Sequence, residues 1–106
     1  MLERTILLLL DGKGCLIRES FSRLGPLMSA LVSPREIFLQ ALRVGAVSFL
    51  LLHNHPSGDP APSREDCLFT ERVREAGSLM GVPLLDHIII GDNSYVSLRE
   101  RGIFET

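Results

Sequence analysis

Short apolar runs separated by turn-forming residues dominate the first part of the chain, and they predict β-strands. The first run, Thr5–Leu10, predicts a buried strand. Residues 11–14 contain two glycines, which adopt positive φ angles easily, and therefore predict a turn. Residues 15–21 then predict a second strand that returns beside the first. A weaker apolar run at residues 27–31 predicts a short third strand, although Pro26 precedes it directly.

The motif Ser33-Pro34-Arg35-Glu36 predicts the start of the first helix. Ser33 can cap the helix, Pro34 suits the first helical position, and Glu36 can complete a capping box. Apolar residues at positions 37, 38, 41, 42 and 44 form one helical stripe, and Gly45 is a natural terminator. Residues 46–52 follow as a hydrophobic run that is typical of an interior strand.

The motif Ser63-Arg64-Glu65-Asp66 predicts a second helix, again with a capping-box pattern, which runs to about Met80. Leu84–Ile90 predicts another strand, and a turn leads from it into a last strand at residues 95–98. The predicted order is therefore β-β-(β)-α-β-α-β-β, with hairpins at both ends. This order favours an α/β domain in which helices flank a mixed sheet.

Length and charge narrow the class of protein. The 106 residues fit one small domain, residues 1–106. Lys and Arg number 11 against 13 Asp and Glu, so a broad nucleic-acid-binding surface is not expected. The apolar runs are too short to span a membrane, and the first residues do not resemble a signal peptide. Cys15 and Cys67 are far apart, which favours free thiols in a reducing cytoplasm. The oligomeric state stays open.

Two histidines follow the predicted strand at residues 46–52 and are the first candidates for a functional site. His53 and His55 are two residues apart, so in extended backbone their imidazoles lie on the same side. A Pro-rich loop leads from them to Ser63 and to Asp66 in the first turn of the second helix. Two imidazoles and one carboxylate form a ligand set for zinc that leaves one coordination position open.

Each of these residues also has an ordinary structural interpretation. Histidines after a strand are often unrelated surface residues. A serine at the position of Ser63 caps a helix, and an acid at the position of Asp66 interacts favourably with the helix dipole. The combined spacing of all four residues is what favours a metal site.

This spacing, His53-x-His55, seven residues, Ser63, two residues, Asp66, resembles the signature of the JAMM metalloproteases. The form His53-Asn54-His55-Pro56-Ser57-Gly58-Asp59-Pro60 is similar to the RadC branch, in which Asn replaces the usual Ser or Thr between the histidines. Further matches are Ser33-Pro34-Arg35-Glu36, Leu85-Asp86-His87-Ile88-Ile89-Ile90-Gly91 and Val96-Ser97-Leu98-Arg99-Glu100. The resemblance covers about residues 3–102 and implies a cytidine-deaminase-like JAMM/MPN fold. Full-length RadC proteins also carry an N-terminal helix-hairpin-helix region, which this sequence does not contain.

The resemblance implies a zinc-dependent hydrolase that acts on a peptide or protein substrate and cleaves peptide or isopeptide bonds. By this resemblance, His53, His55 and Asp66 would hold Zn²⁺, and Glu3 would be the general base. Ser63 would donate a hydrogen bond to the oxyanion that develops during the reaction. Glu36 is a rival for the base, but the capping box already explains its position.

Two other functions remain open at this stage. The chain could be a DNA-repair-associated RadC accessory module, or a protein-interaction domain without catalysis. The third histidine, His87, is expected to be a buried structural residue bonded to Asp86 or to a backbone carbonyl, with support of the metal ligands as the alternative. Cys15 and Cys67 are expected to pack within the fold.

Overall fold

A computed structural model describes residues 3–21 and 34–103, which form a five-stranded sheet with two helices. The elements in chain order are β1 (Thr5–Leu10), β2 (Leu16–Phe21), α1 (Pro34–Arg43), β3 (Ser48–Asn54), α2 (Arg64–Met80), β4 (Leu84–Ile90) and β5 (Tyr95–Ser97). The expected third strand at residues 27–31 and the expected cap at Ser33 lie outside the described residues.

The strands are arranged in the order β2-β1-β3-β4-β5. β1 pairs antiparallel with β2 and β3, β3 pairs parallel with β4, and β4 pairs antiparallel with β5. Both predicted hairpins and the mixed α+β sheet are therefore confirmed. Because β3 and β4 are parallel, α2 must carry the chain back along the sheet, so α2 begins near the end of β3.

The core lies between one face of the sheet and the two helices. On this face Leu9 and Phe49 are completely buried, and Phe38 of α1 packs edge-on against Phe49 with ring centroids 5.5 Å apart. Val73 of α2 is also fully buried within the same cluster. The alternation of buried and half-buried residues in β1 follows from the two-residue repeat of a strand. This face of the sheet therefore fixes the position of α2 relative to β3.

β3 ends two residues later than the sequence predicts. It spans Ser48–Asn54 rather than residues 46–52, because pairing with neighbours on both sides continues to its end. His53 pairs with Thr5 of β1, and Asn54 pairs with Ile90 of β4. His53 is consequently part of the strand, and its side chain lies on the same face as Leu51, toward the helices.

The expectation that Cys15 packs within the fold is wrong, because its side chain is exposed just before β2. Cys67 is half-buried, and neither thiol forms a disulfide. Within the parts of the chain that the structure describes, neither helix combines the length and apolar content needed to cross a membrane.

Candidate metal centre

The end of β3 presents two imidazoles to the same space. His53 lies in the strand and is 1% exposed, whereas His55 follows the strand and is partly accessible. Their ring centroids are 4.8 Å apart. The two-residue spacing therefore brings the rings together as the sequence predicts.

The N-terminus of α2 supplies the carboxylate. The Ser63 backbone N–H donates to Asp66 Oδ2 at 2.8 Å, and the Asp66 backbone N–H donates to Ser63 Oγ at 3.0 Å. These reciprocal bonds form the predicted capping box. They also fix the Asp66 side chain, which is completely buried, and leave its Oδ1 directed at His53.

Three potential metal-ligating side chains, those of His53, His55 and Asp66, converge between the end of β3 and the start of α2. His55 Nε2 lies 3.0 Å from Asp66 Oδ2, and His53 Nε2 lies 3.4 Å from Asp66 Oδ1. Two ligands bound at 2.0–2.2 Å to a tetrahedral ion are separated by roughly 3.4 Å, which matches the second distance. One donor atom can be chosen from each residue so that all three lie within 4.8 Å of one another.

Two buried atoms of this cluster support its interpretation as a metal site. His53 Nε2 and Asp66 Oδ1 are inaccessible to solvent, and neither makes a hydrogen bond to any described atom. Leaving a buried polar atom unsatisfied costs about 1–3 kcal/mol, more for a charged group. A cation placed between these atoms would satisfy both of them, so the residues fit a bound metal ion.

Glu3 lies beside this cluster, with its Oε1 3.4 Å from His53 Nε2. The Arg4 backbone N–H donates to the Asn54 side-chain oxygen at 2.6 Å, and the Asn54 N–H donates to the Arg4 carbonyl at 3.3 Å. These two bonds hold the segment just before β1 against the end of β3. Partial burial raises the pKa of the Glu3 carboxyl, an effect that nearby His55 opposes. Glu36, the rival in the sequence, is exposed on α1.

His87 of β4 lies directly behind His53. It is completely buried, and its Nε2 lies 2.8 Å from His53 Nδ1. Its Nδ1 lies 2.6 Å from the hydroxyl of Thr70 in α2. The expected side-chain partner, Asp86, instead accepts a hydrogen bond from the His87 backbone N–H. The expectation that the His87 ring bonds Asp86 or a backbone carbonyl is therefore wrong.

Burial keeps both inner imidazoles neutral near pH 7. Desolvation lowers the pKa of His53 to about 4, although the neighbouring Asp66 carboxylate opposes this shift. Desolvation, with a smaller contribution from His53, lowers the pKa of His87 to about 3. A neutral imidazole has a nitrogen lone pair, which is the form that binds metal ions.

Sequence reasoning missed Thr70 entirely. Thr70 is four residues after Asp66, so the two side chains lie on the same face of α2, one turn apart. That four-residue spacing could have indicated from the sequence that Thr70 lies near the site. The parallel register, which places His87 next to Leu51, two residues before His53, could not be read from the sequence.

The loop after β3 is held by the turn between β4 and β5. His55 donates from its Nδ1 to the Asp59 carbonyl at 2.9 Å, and its backbone N–H donates to the Ile90 carbonyl at 2.9 Å. Gly91 follows directly, and a Cβ there would collide with the Gly58 carbonyl oxygen and lie 2.8 Å from the Pro60 ring. The close approach at Gly91 therefore sets where the loop and His55 lie.

These features define a mixed-sheet domain with a largely buried His-His-Asp cluster that could hold a metal ion. The family model described as the RadC-like JAB domain matches residues 1–103, and the chain belongs to this family.

Curated relatives agree with this assignment. The chain is 55% identical to a UPF0758 protein of Syntrophotalea carbinolica over 101 residues, and 47% identical to UPF0758 protein ABC2615 of Shouchella clausii over 104 residues. It is 49% identical over 100 residues to a UPF0758 protein of Methanosarcina mazei. These matches cover 94–98% of the chain but only 44–45% of the relatives, so the chain spans less than half of their length.

Proposed function

We propose that this domain is a zinc-dependent hydrolase in which His53, His55 and Asp66 hold the metal ion. The observation that carries the proposal is the pair of buried, unsatisfied atoms, His53 Nε2 and Asp66 Oδ1, which face each other at 3.4 Å. Two nitrogens and one carboxylate oxygen are ligands that suit Zn²⁺, and three protein ligands are typical of catalytic zinc sites.

Zn²⁺ held by His53, His55 and Asp66 would supply Lewis-acid chemistry and would make a water molecule acidic enough to lose a proton near neutral pH. Glu3 acts as the general base, takes the proton of the attacking water and passes it to the leaving amine. Its position supports this role, because Glu3 Oε1 lies 3.4 Å from His53 Nε2, at the edge of the candidate metal site.

Ser63 stabilises the negative charge that develops on the substrate carbonyl oxygen. In the capping box, Ser63 Oγ accepts a hydrogen bond from the Asp66 N–H, so the hydroxyl proton is not used there. That proton can be donated to the developing oxyanion. Capping and catalysis are therefore compatible in one side chain.

The substrate we propose is the peptide or isopeptide bond of a peptide or protein. The resemblance to the JAMM proteases supports this choice. The two unpaired thiols favour a reducing compartment such as the cytoplasm as the place of action.

Metal analysis tests the ligand set. The purified protein, reconstituted with zinc and desalted, should retain about one zinc ion per chain, and His53→Ala should lose most of it. Glu36→Gln is the matched control, because Glu36 is exposed on α1, and it should retain zinc like the wild type. A wild type that holds no metal after reconstitution would refute the zinc site.

Cleavage of a peptide library tests the activity. The wild type should show cleavage that a chelator abolishes, and Glu3→Gln should lose cleavage while it retains zinc. Glu36→Gln should cleave like the wild type. Full cleavage by Glu3→Gln would exclude Glu3 as the base, and no cleavage by zinc-loaded wild type would refute the hydrolase.

A further inference from the structure

A continuous row of buried polar groups runs from β3 through β4 to α2. His53 Nδ1 lies 2.8 Å from His87 Nε2, and His87 Nδ1 lies 2.6 Å from Thr70 Oγ1. The Thr70 hydroxyl donates at 2.8 Å to the backbone carbonyl of Asp66. The row therefore connects the back of one candidate metal ligand to the backbone of another.

The end of this row sets the direction of its hydrogen bonds. A carbonyl oxygen only accepts, and a threonine hydroxyl has one proton, which Thr70 donates to the Asp66 carbonyl. Thr70 Oγ1 must then accept from a protonated His87 Nδ1. A neutral His87 has no proton left for its Nε2, so that atom accepts from a protonated His53 Nδ1. His53 Nε2, the atom 3.4 Å from Asp66 Oδ1, is left with a free lone pair.

We propose that Thr70 and His87 are positioning residues that hold His53 in the Nδ1–H tautomer and so present its Nε2 lone pair to the metal ion. This inference rests on the proposed metal site, but the tautomer itself does not require a metal. If the hydrogen bonds along the row were donated in the opposite direction, His53 Nε2 would carry a proton, and the metal ion would have to displace that proton.

The row has a second consequence for the geometry of the site. Thr70 bonds the carbonyl of Asp66, and the Asp66 side chain is itself fixed by the capping box with Ser63. The ring plane of His53 and the first turn of α2 are thus tied to each other through His87. This arrangement requires a hydroxyl group at position 70, but it does not require the methyl group of the threonine.

The first experiment measures the tautomer in the metal-free full chain by ¹⁵N NMR of labelled histidines. Wild type and Thr70→Ser should show His53 protonated at Nδ1. Thr70→Val has nearly the same shape but no hydroxyl, so His53 should shift toward the Nε2–H form. Wild-type His53 with its proton on Nε2, or an unchanged tautomer in Thr70→Val, would overturn the proposal.

The second experiment measures zinc affinity by competition with a chelator, and the absorption spectrum of the Co²⁺-loaded protein. Thr70→Val should bind zinc 10–100-fold more weakly, the range typical when a partner of a metal-ligating histidine is removed. Its cobalt spectrum should also change. Thr70→Ser should restore wild-type behaviour.

Thr5→Val is the matched control, because Thr5 is a buried threonine paired with His53 across the sheet, and its hydroxyl makes no hydrogen bond to a described atom. It should keep the zinc affinity of the wild type. Equal affinity in Thr70→Val and wild type would overturn the positioning role. A wild type that binds no zinc would refute the proposed function instead, and the NMR measurement would still decide the tautomer.

Discussion

Mild acid should destabilise the metal-free protein because two buried histidines are neutral in the folded state. The pKa of His53 is lowered to about 4 and that of His87 to about 3, from an ordinary value of 6.5. Between pH 6.5 and 4 the unfolded chain binds protons at these positions and the folded chain does not. The free energy of unfolding therefore falls as the pH falls through this window. The stability contributed by the two neutral histidines is complete only above pH 6.5.

The size of the effect follows from the two pKa shifts. Lowering the pH from 7.5 to 5 removes about 2 kcal/mol for each histidine, or about 4 kcal/mol if they titrate independently. A domain of this size has a total stability of about 5–15 kcal/mol. The metal-free protein should therefore lose a large part of its stability by pH 5.

Urea unfolding followed by far-UV circular dichroism measures this loss, and it suits a chain that contains no tryptophan. The urea midpoint should fall steadily from pH 7.5 to pH 5. His87→Phe removes one of the two groups and should reduce the dependence on pH by about half, relative to its own stability at pH 7.5. A stability that is the same at pH 7.5 and pH 5 would refute the neutral, buried histidine pair.

Three further substitutions test the surroundings of the site. Gly91→Ala should destabilise the fold by more than about 2 kcal/mol and weaken zinc binding through His55. Gly12→Ala, where a Cβ would make only an ordinary contact with Val47 Cγ2 at 4.0 Å, should change neither, and equal urea midpoints for the two variants would contradict the close approach at Gly91. Ser63→Ala should lose about 1 kcal/mol of stability in urea unfolding, because the helix cap is lost. The same variant loaded with zinc should have a lower kcat, and wild-type values of both quantities would contradict the roles of Ser63 in capping and in stabilising the oxyanion. Phe49→Ala should lower the free energy of unfolding by about 3–5 kcal/mol, and a loss below 1 kcal/mol would contradict its place in the core.

Local sequence patterns determined the elements that carry the candidate ligands. The capping box of Ser63 and Asp66 is a contact between residues three apart, so the sequence alone predicts both the helix start and the position of the carboxylate. The spacing of His53 and His55 likewise predicts that the two rings face the same side, because a strand repeats every two residues. The hairpins at both ends and the mixed sheet were also predictable from turns and apolar runs.

Contacts between residues far apart in the chain needed the tertiary structure. Pairing with β1 and β4 on both sides extends β3 to Asn54, which makes His53 a buried strand residue rather than the first residue of a loop. The same pairing brings Glu3 within 3.4 Å of His53, although fifty residues separate them in the chain.

The row from His53 through His87 to Thr70 shows this limit most clearly. Each residue is polar, and each taken alone is an ordinary buried side chain or a residue of a helix. Only the parallel register of β3 and β4, and the packing of α2 on that face, bring the three within hydrogen-bond distance. The spacing of His53, His55 and Asp66 in the sequence was enough to identify them as candidate metal ligands. Only the folded arrangement shows that Nε2 of His53 faces Asp66, because the orientation of the ring depends on contacts between three separate elements.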